Sequence, residues 1–257
     1  LILDGNASMT MLSLAKMVPT AISSLMGTVV GVFNPQITIA YAEDNTENLV
    51  KIFKSCNRIL IFIMSIPIAF LTAYGRDFYA MWQPTKDADM LQRLSLLAVG
   101  VLYVSMSIQV LYHVFIITKK VKWNSLVILG SGVLSSCLSL LLLKTTDLGV
   151  MVFPLSSMLT GLLRNLIFTP IYAARCLKIR WNRFYGDILL GWISIGSIVI
   201  LGNLSRMVFP VDSWIKLILT GVVMGPLALA LNFLIILRKE EREMVIGMLK
   251  SRLKGAK

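Results

Sequence analysis

The chain has 257 residues, 56% of them hydrophobic and 15% charged, with a mean hydropathy of +0.78 and a net charge of +12. That is more apolar side chain than a soluble core needs, so a water-soluble domain is excluded and a membrane protein is indicated. The positive charge does not point to nucleic acid, because the basic residues lie between apolar runs rather than on one water-facing surface.

A helix crossing a bilayer takes about 20 apolar residues. Seven stretches meet or approach that length, near 10–33, 59–75, 94–117, 125–143, 148–173, 187–203 and 214–237, so the expected fold is all-α, a polytopic bundle of about seven spans. The chain begins with Leu, and its opening LILDGNASMT has neither the basic start nor the cleavage site of a signal peptide, so we expect a part of a longer protein.

Pro35 falls where the first span leaves the apolar layer and predicts a kink or a helix end there. Asp44 and Glu47 have the spacing of an N-cap and its partner at a helix start. Leu49, Ile52, Phe53 and Cys56 then share one face while Lys51, Lys54 and Arg58 lie off it, so residues 44–58 read as an amphipathic linker along the cytoplasmic interface. Pro67, Pro154, Pro170 and Pro226 fall inside later spans and predict bends.

The linkers set the orientation. Lys51, Lys54 and Arg58, Lys119, Lys120 and Lys122, Arg175, Lys178, Arg180 and Arg183, and the seven basic residues of the tail 238–257 put 17 cations on one side. Only six, Arg76, Lys86, Arg93, Lys144, Arg206 and Lys216, fall on the other. The positive-inside rule then puts the C-terminus in the cytoplasm and the N-terminus of this chain outside. Trp82, Trp123, Trp181 and Trp214 fall at span ends, where indoles prefer the headgroup layer, and Trp192 lies inside a span. Gly27 with Gly31, and Gly221 with Gly225, have the spacing of close helix contacts. Cys56, Cys137 and Cys176 are expected to be free thiols, and none has metal-ligand spacing.

Several local features then share one pattern. A span ends in the P-x-I-T-x-x-Y-A run Pro35 to Ala42, an acidic turn and an amphipathic linker follow to Arg58, a proline-bearing span carries Pro67, and G-R-D-F-Y-x-M-W closes at Gly75 to Trp82. This layout resembles the Wzx-type polysaccharide, or O-antigen, flippases of the superfamily that also holds the multidrug/toxin extruders and the lipid II flippases. The resemblance is specific over about the first 90 residues and one of hydropathy and spacing beyond them. It implies a C-terminal lobe, half of a two-lobed pseudo-symmetric transporter in a bacterial inner membrane, with an N-terminal lobe missing from this sequence. It also implies translocation of a polyprenyl-diphosphate-linked oligosaccharide by alternating access, with no cofactor and with membrane lipid around the bundle.

The residues themselves supply no catalytic set: one His113, no paired carboxylates inside a span, and no nucleophile with a base, so an enzyme is not expected. An ionisable residue inside a span costs roughly 2.5–3.5 kcal/mol at the bilayer centre, which makes Lys16 and Arg164 candidates for the substrate cavity. Lys16 has a second reading, snorkelling to the outer headgroups. Arg164, beside Asn165, lies about 16 Å along the helix from Arg175, and its readings are an anion in a cavity, interhelical hydrogen bonding, or snorkelling. Gln36 and Asn34 flank Pro35 and either bond the carbonyl that the proline frees or line a lumen. His113, near Gln109 and Tyr112, is a candidate for proton coupling or a plain polar anchor. No metal site is expected. The competing functions are a cation-coupled drug extruder, disfavoured by the lack of a carboxylate within a span, and a membrane polymerase or acyltransferase, disfavoured by the short external linker Arg76 to Arg93.

Overall fold

The computed structural model describes residues 5–237 and Arg242. All elements among them are helical, and seven helical segments are long and apolar enough to cross a membrane. They comprise α1 (Gly5–Ala42), α2 (Thr46–Trp82), α3 (Ala88–Val99), α4 (Leu102–Ser105), α5 (Tyr112–Ile117), α6 (Val121–Thr145), α7 (Val152–Leu163), α8 (Thr169–Cys176), α9 (Tyr185–Val208) and α10 (Trp214–Ile235). The third span is built from α3 to α5, and the fifth from α7, a π-helical turn Arg164–Phe168, and α8. The basic tail expected at 238–257 lies outside the described residues, apart from Arg242.

α2 is the axis. It packs against α1, α3, α9 and α10, and its Phe53, Leu60, Ile61, Met64, Ile68 and Tyr79 are fully enclosed. Polar rungs set its register: Asn57 reaches Asp187, Tyr74 reaches Gly202 and Ser205, and Asp77 meets Arg206. Both partners ascend together along each rung, so α2 and α9 run parallel. Asn232 of α10 bonds Ser65 on one side and Ser194 on the other, tying the three helices at mid-height. Bonds from Tyr79 to Ala15 and from Arg76 to Asp89 reverse the direction of α1 and of α3 relative to α2, so consecutive spans alternate in direction.

Several local expectations change. α2 is one helix of 37 residues, about 55 Å at 1.5 Å per residue, so segment 44–58 is its first turns and not a separate interfacial linker. Its N-cap is Asn45, whose side chain accepts from Asn48 N–H at 3.0 Å; Asp44 instead takes the left-handed turn before it, with φ 53°. α1 continues through Pro35 to Ala42 rather than ending there. The loop between α2 and α3 is only residues 83–87, because α2 runs on to Trp82. Gly27 and Gly31 meet no neighbour, and Gly221 and Gly225 line an apolar cleft of about 460 Å³ beside Phe70 and Tyr74, so neither glycine pair packs a helix closely. Among the glycines that do are Gly100, against Met158, Gly161, against Val101, Gly191, against Met106 and Ser107, and Gly202, against Ala73 and Tyr74.

Candidate functional site

The first part of the site is a face of α1. Ser13, Lys16, Thr20, Ser23, Gly27, Gly31, Asn34, Thr38 and Tyr41 recur every three or four residues, which places them on one stripe of the helix. All are exposed except half-buried Asn34. A neighbouring face, with Leu12, Ala15, Ile22, Met26, Ile37 and Ala40, is buried against the bundle, and exposed Met17, Leu25, Val32 and Ile39 occupy the remaining, apolar side. From Ser13 to Tyr41 the stripe is about 42 Å long at ~1.5 Å per residue, enough to cross the hydrocarbon layer.

The stripe forms one wall of a groove. Lys16, Thr20, Ser23 and Ser24 face Pro154, Ser157 and Met158 of α7 across a cavity of about 350 Å³, whose remaining lining is Pro19 of α1 and Leu97, Ala98, Val101 and Leu102 of the third span. Ser157 lies 3.4 Å from Ser135 of α6. Two turns further along the same face of α7 comes Arg164, whose Nη1 donates to Ser131 Oγ at 3.3 Å.

The second part is a pair of helix irregularities that meet. The third span loses regular α-helix at residues 100–101 and again at 106–108, where Ile108 has φ −134° and ψ −3°. Gly100 lets Met158 press against the backbone, and Ser105 Oγ takes the Val101 carbonyl at 3.0 Å, a back-bond that bends helices. In the fifth span the N–H of Thr169 bonds Arg164 O five residues back, and Thr169 Oγ1 donates to the same carbonyl at 3.3 Å. A π-turn of this kind is rare and concentrates at functional sites.

Asn165 joins the two. It is 1% exposed; its Nδ2 donates to Ser105 Oγ at 2.7 Å, and its Oδ1 accepts from Tyr112 O–H at 2.9 Å and from Arg164 Nε at 3.3 Å. The next residue to Tyr112, His113, contacts Thr38 Oγ1 through Nε2 at 3.0 Å. Because Thr38 spends its single proton on Asn34 O at 2.8 Å, this contact needs the His113 proton on Nε2. Irregular backbone at membrane depth is tolerated where it is buried in protein or lines a cavity, and here Ser105, Ser107, Ile108 and Asn165 are all buried.

Of the residues singled out in the sequence, Arg164 bonds Asn165, Asn165 bonds Tyr112, the chain neighbour of His113, and Lys16 lies in the groove that the same α7 face borders. Gln36 is exposed on the other side of α1 from Asn34 and Thr38 and belongs to neither part. Sequence reading placed Tyr112 beside His113 without its bond to Asn165, and missed Ser105, Ser131, Thr38 and the continuity of the stripe. The three-four spacing of small polar residues in α1, and the run Ser105, Ser107, Gln109 within an apolar span, were the available signals. Among the described residues no three metal-binding side chains converge, and Cys56, Cys137 and Cys176 are free thiols.

Over 235 residues the chain is 26% identical to a Bacillus subtilis (strain 168) protein named as the uncharacterized membrane protein EpsK. The match covers 89% of this chain and 45% of that relative, so the chain spans about half the relative's length. No family model matches the chain, and no solved structure matches it. The relative's description and the seven apolar helices agree: this is a multi-pass membrane protein built wholly of helices among its described residues.

Proposed function

We propose that the chain is one lobe of a transporter that moves a lipid-linked oligosaccharide across a bacterial cell membrane by alternating access. The observation that carries this reading is the polar stripe of α1. A 42 Å row of Ser, Thr, Gly, Asn and Lys that stays exposed along α1, apart from half-buried Asn34, is costly against hydrocarbon, and an aqueous path between this lobe and a second one relieves that cost. The stripe suits a hydroxyl-rich cargo, and Lys16 with Arg164 supplies cations for a diphosphate linker, whose planar recognition favours arginine. The cargo's polyprenyl tail stays in lipid, so no covalent step is needed. The resemblance of the first 90 residues to the Wzx-type flippases supports the same cargo class, and the half-length match to a membrane protein is consistent with a second bundle.

A surface-polysaccharide defect complemented by the protein tests this. Arg164→Ala should abolish export at near-normal membrane abundance, and Arg164→Lys, which keeps the charge and loses the fork, should be intermediate. Normal export by the alanine variant, or loss of export only through loss of protein, makes Arg164 a packing residue and removes it from the path.

A further inference from the structure

The basic end of the bundle carries the same turn twice. After α5, Thr118, Lys119 and Lys120 bond back to Val114, Ile116 and Phe115, and Lys119 has φ 56°; after α8, Leu177, Lys178 and Ile179 bond back to Ala173, Arg175 and Ala174, and Lys178 has φ 55°. Each turn leads directly into an aliphatic–basic–Trp–Asn run, Val121-Lys122-Trp123-Asn124 and Ile179-Arg180-Trp181-Asn182. The two turns are neighbours: Tyr172 of α8 donates to Lys120 O at 3.3 Å and its ring lies 5.2 Å from that of Phe115.

Lys119, Lys120, Lys122, Lys178, Arg180 and Arg183 are all exposed, and none is in an ion pair among the described residues. Trp123 and Trp181 are 60% and 61% exposed. Bundled cations with indoles at the headgroup level match an anionic surface. What separates a lipid from a soluble anion is α6. Lys122 stands at the head of an exposed apolar row, Leu126, Leu129 and Val133, which continues away from the basic end as an acyl chain would.

We propose that the two turns together hold the headgroup of an anionic phospholipid of the leaflet at the basic end, with its acyl chain along α6. This is independent of the proposed function, since it concerns a lipid that anchors the lobe and not the cargo.

The test uses the protein in phosphatidylcholine vesicles, with Trp82, Trp192 and Trp214 replaced by Phe and either Trp123 or Trp181 kept as the reporter. Dibrominated phosphatidylglycerol, titrated against dibrominated phosphatidylcholine, reads out which lipid sits at each indole. One cation near the surface is worth about five-fold in affinity for anionic lipid. We expect the anionic lipid to half-quench each Trp at a mole fraction at least about five-fold lower than the zwitterionic one. Replacing Lys119, Lys120 and Lys122 with Gln should cut this preference at both Trp123 and Trp181, and replacing them with Arg should keep it. Equal quenching by the two lipids in the parent overturns the proposal, and so does a Gln set that alters Trp123 alone, which would make the turns separate surfaces. Loss of preference in the Arg set also overturns it, because charge would then not be the cause.

Discussion

Replacing Asn165 with Ala removes the buried side chain that ties the break in the third span to the π-turn in the fifth. Three hydrogen bonds are lost, to Ser105, Tyr112 and Arg164. Two of them run between helices, where such contacts average about 0.6 kcal/mol and reach about 1.7 kcal/mol, so the pair spans roughly 1–3.5 kcal/mol. The lower end applies here, because each former partner keeps another: Ser105 still bonds Val101 O, Tyr112 has Thr169 Oγ1 at 3.5 Å, and Arg164 keeps Ser131. We therefore expect Asn165→Ala to lose about 1 kcal/mol in reversible unfolding from mixed micelles. Ser157→Ala, which loses one exposed contact of 3.4 Å, should lose less than about 0.5 kcal/mol. If the Asn165 variant unfolds within about 0.5 kcal/mol of the parent, the two irregular segments are not coupled through this amide and the site as built here is wrong.

The Arg206 guanidinium bonds Asp77 Oδ1 and Ala73 O, each at 3.0 Å, while Asp77 is 8% exposed and its Oδ2 has no partner. Arg206→Ala should lose about 3 kcal/mol by stranding that carboxylate, and adding Asp77→Asn should restore part of it, as the same unfolding assay would report. A Cβ on Gly202 would lie 2.9 Å from Ala73 Cβ, so Gly202→Val should lose about 2 kcal/mol by forcing α2 and α9 apart; an unchanged unfolding midpoint would mean this packing is loose.

The seven spans were legible because apolar length is a local property of the chain. The four tryptophans at span ends follow for the same reason: Trp82 closes α2, Trp214 opens α10, and Trp123 and Trp181 flank the turns at the basic end. The continuity of α2 was not legible. Lys51, Lys54 and Arg58 suggested an interfacial segment, yet Leu49, Phe53 and Cys56 bury against neighbouring helices and carry the helix straight into the span. The contacts of Asn165 were hidden as well, since Ser105 and Tyr112 lie 60 and 53 residues away and only packing brings them to it. The glycine pairs misled because spacing alone does not say whether a partner helix is present: Gly27 and Gly31 turned out to be part of the polar stripe, while close contacts are made by Gly100, Gly161, Gly191 and Gly202, none of which has another glycine four residues away.

The most direct test of a water-filled path along α1 is thiol accessibility in the native membrane. Single cysteines would be placed in a background with Cys56, Cys137 and Cys176 replaced, then exposed to a membrane-impermeant, hydrophilic maleimide or methanethiosulfonate. Thr20→Cys, Ser23→Cys, Gly27→Cys and Gly31→Cys should react, and Leu25→Cys and Val32→Cys, also exposed but on the apolar side of α1, should not. Silence at all six positions, or reaction at Leu25 and Val32 as fast as at Thr20 and Gly27, would contradict an aqueous face on α1 and the transport reading with it.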